Sequence, residues 1–211
     1  MTTLRCVTLP EDGDTLYQRL YRRADPERKR RADRYLRRED GLRCLAAGEL
    51  LRATVERVLG ITEFAVVKDP GGKPRIKGQE RFHYNLSHSG NRVVIAWSDS
   101  PVGVDVQQMR MDPAKEDLAR RFFTSGERAY IFDSPEGTAE RFYRVWTGKE
   151  SYLKYLGTGL TKSLSSFSIL SPEIAPMLTT RYLAEGYCVS LCTGDPDCIF
   201  EMDHQFFSIK E

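Results

Sequence analysis

Gly103-Val104-Asp105-Val106-Gln107 is the stretch on which the reading of this chain turns. In an extended strand successive side chains point to opposite faces, so Val104 and Val106 look one way and Asp105 and Gln107 the other. The valine face suits a core. The other face sets a carboxylate beside an amide, which fits a functional site or an exposed sheet edge, and the strand alone leaves both open.

Working outward towards the C-terminus, the spacing predicts helices over about 113–121, 125–133 and 137–156, the last ending at Gly157. On that helix Trp146, Glu150 and Lys154 stand four residues apart and share one stripe. Glu150 and Lys154 read either as a surface ion pair, worth about 0.3–0.5 kcal/mol, or as functional groups. In the second reading Glu150 joins Asp105 on a hard cation such as Mg²⁺, and Lys154 neutralises charge on a transferred phosphoryl group. Phe122, Phe123, Tyr130 and Phe132 read mainly as core, with a few candidates for lining a partner groove, and Trp146 as a packing anchor. The tail from about residue 166 to 211 reads as three or four short strands.

Towards the N-terminus, Phe82, Tyr84 and Leu86 alternate with His83, Asn85 and Ser87, and Val93–Trp97 follows after a turn over Ser87–Asn91, which predicts a hairpin. Asp69-Pro70-Gly71-Gly72-Lys73-Pro74 is a tight loop. A helix is expected from Asp25-Pro26-Glu27 to about Arg38, and a second over 40–59, ended by Gly60. Residues 19–43 hold eleven Lys and Arg against five acids, although the whole chain carries a net charge of only +2. Such a patch is a solvated helix face or attracts phosphate, on nucleic acid or on a cofactor.

At 211 residues, 40% hydrophobic and 29% charged, the chain has the composition of a folded globular protein. No apolar run approaches the roughly 18 residues of a membrane span, and no secretory signal is expected at the start. The odd count of five cysteines, without a CxxC pair, points to free thiols in a reducing cytoplasm.

Four pieces carry a resemblance: Gly72-Lys73-Pro74, the segment ending Asn85-Leu86-Ser87-His88-Ser89-Gly90, Gly103-Val104-Asp105-Val106, and Trp146-x-x-Lys149-Glu150-Ser151-x-x-Lys154-x-x-Gly157-x-Gly159-Leu160. Their order and spacing resemble the 4′-phosphopantetheinyl transferase superfamily, in its long, two-lobed Sfp-type class, from about Pro26 to Phe167.

The resemblance implies an α+β fold of two similar lobes related by a pseudo-two-fold, each with helices packed on a small antiparallel sheet. The lobes are expected at 1–101 and 102–211, with the cofactor site between them. It implies a monomer that is its own pseudo-dimer. The implied activity is Mg²⁺-dependent transfer of the 4′-phosphopantetheine arm of coenzyme A to a serine of an apo acyl or peptidyl carrier protein, releasing adenosine 3′,5′-bisphosphate. The long class points to polyketide or nonribosomal-peptide carriers.

By motif position, Asp105, Glu150 and Lys154 are the expected catalytic groups, with Glu150 as acceptor of the serine proton. Asp105 and Glu150 are the expected metal ligands. Arg28, Arg31, Arg43, Lys73, Pro74, Ser87, His88, Asp105, Lys149 and Lys154 are the expected coenzyme A contacts. Many relatives read Asp-x-Glu where this chain has Asp105-Val106-Gln107. The substitution removes one negative charge, and Gln107 is expected to ligate directly or, preferably, to hold a metal-bound water. The competing readings are a coenzyme- or carrier-binding homologue without activity, and a nucleic-acid-binding protein; neither nucleic acid nor membrane is an expected partner.

Overall fold

A computed structural model of the chain describes residues 1–110, 114–158 and 162–207. Within it the order β, three helices, then two strands occurs twice. The first round is β1 (Thr2–Thr8), α1 (Gly13–Arg23), α2 (Pro26–Ala32), α3 (Arg38–Leu59), then β4 (His83–Ser89) and β5 (Arg92–Ser98), with a small β2–β3 hairpin (Val66–Lys68, Pro74–Ile76) inserted before β4. The second is β6 (Val102–Gln108), α4 (Ala114–Phe122), α5 (Ser125–Phe132), α6 (Thr138–Leu156), β7 (Leu178–Leu183) and β8 (Tyr187–Thr193).

The sheets repeat the same order, β4-β5-β1 in the first lobe and β7-β8-β6 in the second, every pairing antiparallel. The long helix of each lobe, α3 or α6, ends in a left-handed glycine, Gly60 or Gly157, whose N–H returns to the carbonyl four residues back. The α+β, two-lobed architecture with a pseudo-two-fold is therefore present in the topology.

Strand faces explain why the lobes stack. Leu4, Cys6, Val94 and Ala96 from the first sheet meet Val102, Val104, Val106, Tyr187, Val189 and Leu191 from the second in one buried layer. The opposite face of the first sheet, with Val7, Val93, Ile95 and Trp97, packs on Leu45, Leu50 and other residues of α3. The result is helix, sheet, sheet, helix. Each fully buried valine of β6 contributes roughly 1.5–3 kcal/mol to holding the lobes together. Behind β6, a Cβ on Gly103 would sit 2.0 Å from the Ser151 carbonyl oxygen. Only glycine lets β6 lie this close to α6.

Several expectations need amendment. The basic helix stops at Ala32, where Asp33 caps it, and a separate turn leads into α3 at Arg38. The tail supplies β7, β8 and a further strand, β9 (Cys198–Asp203), but β9 does not stay with the second lobe. It crosses back and pairs parallel with β1, so the first sheet is mixed rather than antiparallel, and Phe206 and Phe207 join the first core. The expected division at residue 101 thus leaves out this return. Gly159 and Leu160 of the quoted motif lie outside the described residues.

Candidate active site

β6 is an edge strand: β8 pairs on one side, and among the described residues no strand pairs on the other. Unpaired backbone groups at a buried edge must find partners, and here side chains supply them. The N–H groups of Val104, Val106 and Gln108 donate to Asn85 Oδ1 (2.9 Å), Ser87 Oγ (3.3 Å) and Ser89 Oγ (3.0 Å) of β4. The carbonyl of Val102 accepts from Lys73 Nζ at 2.8 Å, and that of Val104 from Lys154 Nζ at 3.1 Å. Three separate sequence motifs thus converge on one strand edge.

Asp105 stands at the centre, 2% exposed. Its Oδ1 accepts from Lys154 Nζ at 2.7 Å and from Ser87 Oγ at 2.8 Å, and its Oδ2 from Gln107 Nε2 at 3.2 Å. Three donors, one of them an ammonium, compensate a carboxylate that would otherwise be costly to bury. Lys154 also reaches Ser87 Oγ at 3.2 Å. Glu150 lies one turn before Lys154 on α6. Burial raises its pKa above the ordinary carboxylate range, the negative charge of Asp105 raises it further, and Lys154 pulls it partly back. The two carboxylates therefore feel each other across a partly shielded site.

His88 is at the same end. Burial first, then the charges of Arg43 and Lys154, push its pKa down, which keeps the imidazole neutral at pH 7. Arg43 reaches over from α3 to the Gly90 carbonyl at 2.9 Å, tying the β4–β5 turn to the helix. Lys73 is pushed down to about 8 by burial and by neighbouring Arg75; it also donates to the Tyr155 carbonyl at 3.2 Å. In this state it joins the β2–β3 turn to the second lobe. Pro74 opens β3, half-buried beside it. Arg28 and Arg31 stand farther along α2, lining a cavity of about 500 Å³ between α1–α3 and residues 62–66. Arg28 fills the notch left by Gly48 and reaches the Cys44 carbonyl.

Lys149, another expected contact, faces a different part of the fold. It is fully buried, paired at 2.8 Å with fully buried Glu127, and donates to the carbonyls of Leu164 (2.7 Å) and Phe167 (2.5 Å). Five residues separate it from Lys154, which at 100° per residue is about 140° around the helix. Glu127 also closes the capping box of α5 with Thr124 and accepts from Ile169 N. Lys149 therefore fastens α5 and the 164–169 segment to α6. Trp146 is packed among Phe122, Phe123 and Phe142, with Tyr130 in the same core and Phe132 exposed.

The donor set suits a hard divalent cation. Asp105 and Glu150 are oxygen donors whose mutual repulsion a cation would relieve, and Gln107 offers an amide oxygen. Among the described residues no group of three His, Cys, Asp or Glu side chains could hold a metal ion. Waters and a phosphate-bearing ligand would have to fill the remaining positions, as Mg²⁺ sites commonly require.

Comparison with known sequences gives this arrangement its family. Residues 101–198 match the profile of the 4′-phosphopantetheinyl transferase superfamily, and residues 13–100 that of the 4′-phosphopantetheinyl transferase N-terminal region. The chain is 30% identical over 202 residues to 4′-phosphopantetheinyl transferase Sfp of Bacillus subtilis strain 168, covering 88% of both proteins. This chain belongs to the 4′-phosphopantetheinyl transferase superfamily. It is also 28% identical over 208 residues to the 4′-phosphopantetheinyl transferase gsp of Aneurinibacillus migulanus, covering 92% of this chain and 86% of that one. With 4′-phosphopantetheinyl transferase HetI of Nostoc sp. PCC 7120 it shares 30% identity over 176 residues, 80% of this chain and 73% of that one. These likenesses set it among the Sfp-type transferases and make it an enzyme of that class.

Sequence reasoning passed over Asn85 and Ser89. Their period-two spacing with Ser87 was visible, but not that β4 would lie beside an unpaired edge.

Proposed function

We propose that this transferase moves the 4′-phosphopantetheine arm of coenzyme A onto a serine of an apo carrier protein and releases adenosine 3′,5′-bisphosphate. The observation that carries this reading is the convergence of Asp105, Lys154 and Ser87 on the β6 edge, with Glu150 one helical turn away on α6 and His88 next to Ser87 in β4. In the reaction the carrier serine Oγ attacks the phosphorus nearest the pantetheine. The P–O bond to the bridging oxygen breaks, and its electron pair leaves with the adenosine bisphosphate. Glu150, raised in pKa, accepts the serine proton, directly or through a water. Lys154 neutralises charge developing on the 5′-phosphate of the leaving adenosine bisphosphate. Neutral His88 with Ser87 and Arg43 binds phosphate oxygens, and Arg28, Arg31, Lys73 and Pro74 line the nucleotide end.

Asp105 and Glu150 would hold Mg²⁺, with Gln107 on a metal-bound water. The ion would bind diphosphate oxygens and disperse their charge. The basic face of α2 steers an acidic carrier, and polyketide or nonribosomal-peptide carriers are the expected substrates. The enzyme works as a monomer with its coenzyme between the lobes. Five free cysteines, four of them buried, fit a cytoplasmic setting, and no described helix is long and apolar enough to cross a membrane.

Incubation with coenzyme A, Mg²⁺ and a panel of apo carriers, followed by intact-protein mass spectrometry, tests the whole reading. Arm-modified carrier and free adenosine 3′,5′-bisphosphate are expected. Coenzyme binding without modification of any carrier would overturn it in favour of an inactive homologue.

A further inference from the structure

We infer that Asn85 and Ser89 are positioning residues for this reaction: as side-chain acceptors they lock β6 in register beside β4 and so hold Asp105 where Lys154 and Ser87 meet it. The inference rests on the transfer reading above for its kinetic half and on the hydrogen bonds alone for its structural half.

The three acceptors stand at every second residue of β4, on the face opposite Tyr84 and Leu86, which belong to the first core. Each receives the N–H of the residue nineteen positions later: Asn85 from Val104, Ser87 from Val106, Ser89 from Gln108. The constant offset is what two strands running side by side produce, except that side chains of β4 replace its backbone. Ser87, in the middle, cannot fix the register by itself, because its Oγ is also engaged with Asp105 and Lys154. The outer two have no such duty among the hydrogen bonds described.

Asn85 matters most. Its partner is the N–H of Val104, and the carbonyl of that same residue receives Lys154. Removing the acceptor frees one end of a residue whose other end orients the ammonium. Asp105 follows directly in the chain, so a shift of β6 moves carboxylate and ammonium relative to each other. At the far end Ser89 restrains Gln108, next to Gln107, whose amide touches Asp105.

Asn85→Ala and Ser89→Ala remove the acceptors; Asn85→Gln and Ser89→Thr retain a neutral oxygen acceptor. Residue-resolved amide exchange reads the register without any turnover. Exchange at Val104 or Gln108 respectively is expected to quicken about tenfold in the alanine variants and to recover in the conservative ones. In the transfer assay the alanine variants are expected to lose about tenfold in kcat with KM for coenzyme A little changed, and to need more Mg²⁺ for half-activation. Should Asn85→Ala not fold, Ser89→Ala, a smaller change at a half-exposed position, carries the test. Faster exchange with unaltered kcat and Mg²⁺ response would overturn the positioning role, as would equal losses in the conservative and alanine variants. Wild-type protein inert in transfer, with acceptor-dependent protection of Val104, would overturn the transfer reading and uphold the register.

Discussion

β1 and β6 occupy equivalent places in the two lobes, and their outer edges are closed by different means. On β1 a whole strand, β9, pairs in parallel from Thr2↔Cys198 to Val7↔Asp203. On β6 the work falls to Asn85, Ser87, Ser89, Lys73 and Lys154. Backbone pairing satisfies an edge and leaves nothing for a ligand to use. Side-chain pairing satisfies the same groups while gathering hydroxyls, ammoniums and a carboxylate in one place. The difference shows how a duplicated layout yields one site: chemistry collects where the repeat leaves an edge uncovered by a strand.

The strongest way to break this comparison is to uncover β1. A chain ending after Asp195 loses β9 and the Phe206–Phe207 packing; it is expected to lose cooperative unfolding and to associate, as exposed edges do. Calorimetry and size-exclusion chromatography check this, and a monomer melting like the full chain would show that the two edges are not comparable. Next, Lys154→Ala is expected to cost about 100–1,000-fold in turnover and also to lower the melting temperature, because buried Asp105 loses its ammonium partner; transfer assay and calorimetry read the two effects. Near-normal turnover would remove Lys154 from the chemistry.

Lys149→Ala sharpens the contrast from the other side of α6. It strands buried Glu127, so a stability loss of about 3–5 kcal/mol is expected in denaturant titration, while Lys149→Met with Glu127→Leu restores only part of it, because the Ile169 N–H and the Leu164 and Phe167 carbonyls stay unpaired. A smaller effect is expected of Gln107→Glu: a second carboxylate beside Asp105 should tighten apparent Mg²⁺ affinity by about tenfold, about 1.4 kcal/mol, and a Mg²⁺ titration showing no tightening would argue against a metal-facing Gln107. Smallest is thiol reactivity. Burial pushes Cys6 and Cys188 up to about 11 and Cys192 to about 12. These pKa values lie above pH 8.5, so the thiols stay protonated there, and half-exposed Cys198 should alkylate first by mass spectrometry.

The parts of this fold legible from sequence were those with a local cause. Gly60 and Gly157 mark the ends of α3 and α6 because a left-handed cap is a local requirement. Asp105 stood out because a carboxylate alternated with valines. β1 gave no such signal: it is covered by α3 on one face and by the second sheet on the other, so Thr2–Thr8 lacks the alternation of a half-buried strand. α1 went unread although Leu16 and Leu20, both buried, and Tyr17 and Tyr21, packed against the first core, share one face of it. Lys149 was placed with the site because motif spacing records adjacency in sequence, whereas a helix turns neighbours five apart to different sides. The roles of Asn85 and Ser89 depend on which strand lies beside β4, a fact of tertiary pairing alone.

The parallel β1–β9 pair has a consequence for synthesis. A ribosome delivers β1 long before β9, so the sheet begun by residues 2–8 stays open until residue 203 has emerged, after all the strands of the second lobe. The nascent protein thus carries an unfinished first lobe beside a second lobe whose elements are already in hand, and the first is completed only when β9 crosses back to β1.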